Sequence, residues 1–438
     1  MNSAISYIID FLLGDNKSSV RHDCRIGYTS DPHMFHHYNL VIAASPFFDE
    51  QVYGTPASIP ALPLKEIEGV PLLFGEPETA WYGDTFVVHA DIVASAYFLL
   101  TRYEEIRRRD IRDEHGRFPG KESLPYRAGF IHRPIIDEYG RLLRGWLREV
   151  GIVIREPEPG IRKIWLTHDV DAPFYCRSFR NVIRETVKGK GIGNALRMLK
   201  QPLENDPYYT FPWLVEQDHK VIDALGKKHC NSLYFLKAGG RSAQDKPYYN
   251  LYTPDGVSLL TLLHSKQAVL GLHSSYDAGK QPLFIRKERE LLERISKQKI
   301  RHNRHHYLAC REPEDFILLE KAGITDDFTM GYPDVAGFRL GTSRPVRWIN
   351  PANKHLSSLI LHPLTMMDVA LSEEKYMNLP YEEAFDYCLR LIDQVEQANG
   401  ELVMLWHNDT VSELQTRNGA VNWHRELYAV LINELKKR

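Results

Sequence analysis

Two aspartates separated by one residue end an apolar run in WLTHDVDAP (165–173). Carboxylates at the end of a strand that faces a core lose solvation, and only a partner restores it. In an extended segment, residues two apart project to the same side, so Asp169 and Asp171 point together and His168 points away. Adjacent carboxylates repel unless a cation or a shared proton lies between them. A divalent ion on Asp171 would relieve the repulsion and leave Asp169 beside the ion's water. The plainer alternative is a turn in which a solvated aspartate caps the next segment.

Three further clusters carry chemistry. In GLHSSYD (271–277), a helix starting at Ser274 or Ser275 would set His273 and Asp277 one turn apart, able to share a metal. Pairs at this spacing also simply cap or salt-bridge. In RHNRHHYLA (301–309), extended geometry puts His302, Arg304 and His306 on one face and His305 and Tyr307 on the other. A cation and two imidazoles together suit carboxylates, a metal or an oxyanion, or else form a solvated basic edge. His407 ends the apolar ELVMLWH (401–407). A lone histidine there is more often structural, but beside Asp169 it would serve as a general acid.

The elements that must position these residues follow a βα rhythm from residue 162 onward. The runs KIWLTH, SLYFLKA, AVLGLH, RHHYLA, SSLILHP and ELVMLWH alternate with amphipathic stretches such as PLFIRKERELLERISKQ and PYEEAFDYCLRLIDQVEQAN. Six or seven such units imply a parallel sheet, and a closed or nearly closed (β/α) barrel is favoured over an open one. In such barrels chemistry sits at the C-terminal strand ends, which is where the polar clusters fall. The first third is mixed α/β, with a strand expected in YNLVIAAS (38–45) and helices over 89–109 and 133–151. The segment REPEPGIRK (155–163) marks the boundary between an N-terminal domain (1–155) and the barrel (156–438).

Composition bounds the function. A chain of 438 residues, 43% hydrophobic and 26% charged, has ample material for a large core. With 55 basic and 57 acidic residues the net charge is −2, which argues against a nucleic-acid partner or a membrane surface. Five scattered cysteines without a C-x-x-C pair suggest reduced thiols and a cytoplasmic location. The opening MNSAISYIIDFLLG, broken by Asp10, is expected to be an amphipathic helix and not a signal peptide or membrane span. His36 and His37 are expected to be surface or core residues. The first domain, lacking any reactive cluster, is expected to shape or cover a groove and to contribute no catalytic group.

In this order, the motifs resemble those of the polysaccharide deacetylase superfamily, carbohydrate esterase family four and its relatives, over roughly residues 160–410. THDVD resembles its first motif, which implies Asp169 as base and Asp171 as ligand. HSSYD resembles its H-[ST]-x-x-H motif, with Asp277 where a second histidine is usual. RHHY resembles R-x-P-Y, matching Arg304 and Tyr307, with His306 in the proline position, and LWH resembles the closing L-x-H, which makes His407 the acid. The segment DDFTMGYPDVAGFRLGTSRP (326–345) is similar to one in a bacterial subgroup with HDVD starts. SAYFLLTRYEE and HGRFPG are similar to an uncharacterised N-terminal domain that accompanies that subgroup.

The resemblance implies a distorted (β/α) barrel and a divalent metal, zinc above all, on Asp171, His273 and either His306 or Asp277. It implies Arg304 holding Asp169, His407 oriented by Asp326 or Asp327, and substrate contacts from Tyr307, Asp327 and Arg339. The expected reaction is removal of N-acetyl or O-acetyl groups from an acetylated carbohydrate in envelope or exopolysaccharide biosynthesis. Two alternatives stand beside it: hydrolysis of a cyclic amide on the same barrel, and a non-catalytic carbohydrate-binding protein with a degenerate metal site. The sequence leaves the oligomeric state open.

Overall fold

The runs KIWLTH, SLYFLKA, AVLGLH and ELVMLWH each supply a strand of one large sheet. The computed structural model describes residues 3–177, 179–414 and 422–438. The first third carries a four-stranded sheet of β1 (Ile26–Thr29), β2 (Leu40–Ala43), β5 (Gly75–Tyr82) and β6 (Thr85–Ala90), ordered β1-β2-β6-β5. A small antiparallel ribbon of β3 (Lys65–Ile67) and β4 (Val70–Leu72) lies beside it in sequence. The opening segment forms the helix Ser3–Leu13, whose Ile8, Ile9, Leu12 and Leu13 are buried. Helices Ile92–Leu100 and Ile135–Glu149 complete this part, within the stretches where helices were expected.

The large sheet comprises β7 (Lys163–Val170), β8 (Cys230–Leu236), β9 (Val269–Ser274), β10 (His302–His305), β11 (Asp326–Asp327), β12 (Val346–Asn350), β13 (His355–Leu361), β14 (Met366–Met367) and β15 (Glu401–Leu405). Its order is β12-β13-β11-β10-β9-β8-β7-β15-β14, parallel throughout except for the antiparallel pair β12/β13. The architecture is thus mixed α/β with a mostly parallel sheet. Among the described residues no hydrogen-bonded ladder joins the outer strands β12 and β14. The central strands are buried along nearly their whole length, as strands covered on both faces must be. No described helix is long and apolar enough to cross a membrane.

His168 points away from Asp169, as alternation requires, and is fully buried. Its Nδ1 lies 2.9 Å from the Trp406 carbonyl, and its Nε2 lies 3.2 Å from Asp218 on the helix Phe211–Leu225. Tyr428 and Tyr234 donate to the same carboxylate at 2.6 and 3.1 Å. One buried polar network therefore ties β7 and β15 to two covering helices and fixes the spacing of the strands that carry Asp169 and His407.

The two parts of the chain share a core: one apolar cluster holds Leu12, Tyr97 and Leu147 together with Val170, Leu270 and Trp348. At its edge Arg339 is buried, and its Nε and Nη2 donate to Glu105 at 3.0 and 2.9 Å. Arg102 donates to the same carboxylate. The expected substrate contact of Arg339 is therefore corrected, because the segment 326–345 lies beneath the first third and its guanidinium has no access to a groove. Burial alone would push the Glu105 carboxyl up, but Arg102 and Arg339 bring it from 4.5 down to about 2.

Glu105→Ala should lower the unfolding free energy by about 3–5 kcal/mol at neutral pH, because two buried guanidinium groups lose their shared counter-charge. Since the folded pKa is depressed, this stabilisation is present above about 4.5 and is lost as the pH falls through about 2. Denaturant midpoints of both proteins across that range check it. A gap of constant size down to the lower limit would show that the carboxylate's charge is not what stabilises.

Candidate metal centre and acid–base pair

At the C-terminal ends of β7, β9 and β10, three residues turn their donor atoms inward. One ligand atom each from Asp171, His273 and His306 lies within 4.8 Å of the others. His273 Nε2 stands 3.1 Å and His306 Nε2 3.3 Å from Asp171 Oδ1. The approach of His273 is not directed as a hydrogen bond, for its Nε2 and Asp171 Oδ1 are both buried without a hydrogen-bonding partner.

The far side of each ring explains this. His273 Nδ1 lies 3.0 Å from the Arg304 carbonyl, which can only accept, so that nitrogen carries the proton and Nε2 presents a lone pair. His306 Nδ1 lies 3.1 Å from Asp245 Oδ1, the carboxylate–histidine pairing that readies Nε2 for a cation. Burial would push the Asp171 carboxyl up, but His306 and His273 hold it well below the ordinary range, so it is ionised. Burial acts likewise on Asp245, and hydrogen bonds from His306 and Ser242 bring it down to about 2. A carboxylate and two imidazoles with converging free donors fit a divalent ion.

Asp277 takes no part. Its Oδ2 accepts from the backbone N–H of Arg241 and Ser242 at 2.7 and 3.1 Å, because the helix Tyr276–Lys280 turns it toward that loop. Of the two expected third ligands, the structure brings only His306 to the cluster.

Asp169 and Arg304 lie beside the three. Arg304 is fully buried, and its Nη1 donates to Asp169 Oδ1 at 2.9 Å and to Thr167 at 2.8 Å. Its Nε donates to the Phe328 carbonyl at 3.0 Å, and the guanidinium lies 4.5 Å from the centre of the Phe235 ring. The other Asp169 oxygen is 3.6 Å from His273 Nε2. On the opposite side, His407 Nε2 stands 3.9 Å from Asp171 Oδ2, while Nδ1 lies 2.8 Å from Asp368 Oδ1. Asp368 is fully buried and also accepts from the His407 backbone N–H at 2.8 Å. Burial would lower the pKa of His407, but Asp368, with Asp171 and Asp169 beyond it, raises it to about 10. The imidazole is thus protonated at neutral pH, with one N–H toward the cluster.

Neither Asp326 nor Asp327 orients His407. Asp326 accepts from His362 at 3.1 Å, and His362 also bonds Glu401 at 2.8 Å, at the start of β15. Asp327 is fully buried and accepts from Asn303 at 2.8 Å and from the Thr329 backbone and hydroxyl at 2.9 Å each, so it cannot touch a substrate. The orienting role falls to Asp368, which follows the short β14; an acid just past a strand is the only sequence signal it gives. Asp245 gives none, being placed by loop closure alone.

The cluster opens into a cavity of about 410 Å³ lined by Asp169, Asp171, His273, Tyr307 and His407, with Arg117 from the first third. Asp409 lines both this cavity and a neighbouring one of about 1050 Å³. Beyond His306 the backbone takes two left-handed steps, Tyr307 at φ +61° and Leu308 at φ +52°. Each costs about 1–2 kcal/mol for a residue with a Cβ. The bend is held from the first third: Arg117 donates to the Tyr307 carbonyl at 2.7 Å and Arg102 to that of Cys310 at 3.2 Å. In return, Arg311 donates to the His115 carbonyl at 3.0 Å. The Tyr307 ring is 38% exposed at the cavity edge, where it can meet a ligand. His302 instead lies against the Trp165 and Phe328 rings, away from the cluster.

Residues 3–151 match a family of unknown function, DUF7033. No curated protein matches the chain. Among solved structures it is similar to a protein of Mycobacterium smegmatis described as a "putative polysaccharide deacetylase", at 13% identity and a TM-score of 0.39, over 65% of this chain and 86% of that one.

Proposed function

We propose that the chain is a metal-dependent hydrolase that removes acetyl groups, N-linked before O-linked, from a carbohydrate, on a distorted (β/α) barrel preceded by an accessory domain of about residues 1–155. The observation that carries this reading is the placement of three converging donors between an arginine-held carboxylate and a protonated, aspartate-held imidazole. The resemblance of the four motifs to polysaccharide deacetylases supplies the substrate class.

Asp171, His273 and His306 would hold the ion, and an N₂O donor set suits zinc. When bound, such an ion polarises a carbonyl oxygen and makes a neighbouring water acidic. Asp169, aimed by Arg304, takes the proton of the attacking water. His407 then gives the proton on Nε2 to the departing amine nitrogen or alcohol oxygen, and Asp368 steadies the ring through Nδ1. Tyr307, at the cavity edge, stacks against a sugar ring. The first domain acts on the site through Arg117 and the bend after His306 and transfers no proton.

The test is acetate release from N-acetylated chito-oligosaccharides by the full chain loaded with Zn²⁺, repeated after chelation and after adding the metal back. Release that chelation abolishes and zinc restores is expected. Release indifferent to chelation would remove the metal from the mechanism. Ring-opening of a cyclic ureide without any acetate release would replace the substrate class.

A further inference from the structure

Large apolar side chains exposed singly are ordinary on a protein surface, but four within fourteen residues are not. Ile183, Val187, Ile192 and Leu196 are 65%, 82%, 67% and 45% exposed. They lie on a helical excursion between β7 and β8, formed by Phe179–Glu185, a wide turn over 186–190 and Ile192–Arg197. Ile183 and Val187, and again Ile192 and Leu196, are four residues apart, the spacing that shares one helical face.

The charge of this excursion is one-sided. The sequence 179–200 carries Arg180, Arg184, Lys188, Lys190, Arg197 and Lys200 against one acid, Glu185. That acid is buried and accepts from the Tyr175 hydroxyl at 2.6 Å, while Arg197 and Lys200 are exposed. Ile183 and Arg184 form one lip of the cavity of about 1050 Å³, with Lys246 and Tyr248 on the other. Tyr248 and Tyr252 are 52% and 58% exposed. Arg177 and Asp255, which also line this cavity, form a salt bridge of 2.7 Å.

We propose that this excursion and the tyrosine lip beside it are a docking surface for the face of a bilayer that contains anionic lipid. Short helices with an apolar face among lysines and arginines lie in the plane of a membrane interface, the apolar side chains among the upper acyl chains and the cations at the phosphates. Tyrosine belongs at that depth, with its ring in the apolar layer and its hydroxyl in the wet one. A protein partner would have no need of a segment with six bases to one acid, and a polyanion alone would leave the four apolar side chains in water. The whole-chain charge of −2 hides the segment's excess of bases, because acids outnumber bases 56 to 49 in the rest of the chain.

The experiment is co-sedimentation of the full chain with vesicles of phosphatidylglycerol and phosphatidylethanolamine, against vesicles of phosphatidylcholine alone, at low and high salt. Binding to the anionic vesicles that weakens with salt is expected. Arg197→Ser with Lys200→Ser should reduce the partition constant roughly fivefold per cation removed. Ile183→Asp with Val187→Asp should reduce it about tenfold or more, and Leu196→Asp, in the second helix, repeats the test should that pair disturb folding. Thermal midpoint and metal content should stay at wild-type values. Equal sedimentation with both kinds of vesicle, or undiminished binding by these variants, would overturn the proposal. So would self-association of the wild type in the absence of lipid that the same substitutions abolish, which would give the patch to a second copy of the chain.

Discussion

Asp169→Asn is expected to lower acetate release by about 10²–10⁴-fold while leaving the metal content unchanged. Asparagine keeps the shape of the side chain and an oxygen for the guanidinium of Arg304, which is also tied to Thr167 and to the Phe328 carbonyl, so the wall of the cavity should stand. What is lost is the ability to take a proton. Metal content is the control because Asp169 lies outside the donor trio, 3.6 Å from His273 Nε2. Turnover near that of wild type would remove Asp169 as the base. Loss of turnover together with loss of metal would make it a ligand instead.

His306→Ala should leave the protein unable to retain metal through dialysis, whereas Asp277→Ala should retain it. Removing His306 reduces three protein donors to two. Asp277 acts at a distance of two links: it accepts from the backbone of Arg241 and Ser242, the loop that brings Asp245 to His306 Nδ1. Loosening an orienting partner of this kind costs about 10–100-fold in affinity, which Asp245→Ala should show in full and Asp277→Ala in part. Metal stoichiometry and competition with a chromophoric chelator measure both. Full occupancy in His306→Ala with loss in Asp277→Ala would transfer the third position to the aspartate.

Residues whose positions depend on local periodicity were readable before any fold was known. Alternation along β7 puts Asp169 and Asp171 on one side and His168 on the other, and both sides are as expected. Arg304 and His306 reach the same cluster, through Asp169 and Asp171, although the extended course expected for them ends at His305, where the chain bends. Residues placed by distant contacts were not readable. Asp368 and Asp245 come from short or irregular segments and reach His407 and His306 only through the closure of the fold. Asp327 and Arg339 were misread for a related reason. The resemblance implied substrate contacts for both, yet here they are buried and serve internal bonds, Asp327 with Asn303 and Arg339 with Glu105 of the first third. Closure of a barrel depends on whether the outermost strands meet, and short apolar runs carry no information about partners at that range.

The bend after His306 makes the stretch from Tyr307 to Cys310 hostage to the beginning of the chain: the carbonyls of these two residues are gripped by Arg117 and Arg102, about two hundred residues upstream. In heredity such a grip acts as linkage. A recombination breakpoint anywhere between residues 117 and 307 could pass on His306 intact and still deliver it on a backbone with no reason to turn. The two stretches must therefore travel together, and drift in either arginine has to be answered in the course of the backbone it grips.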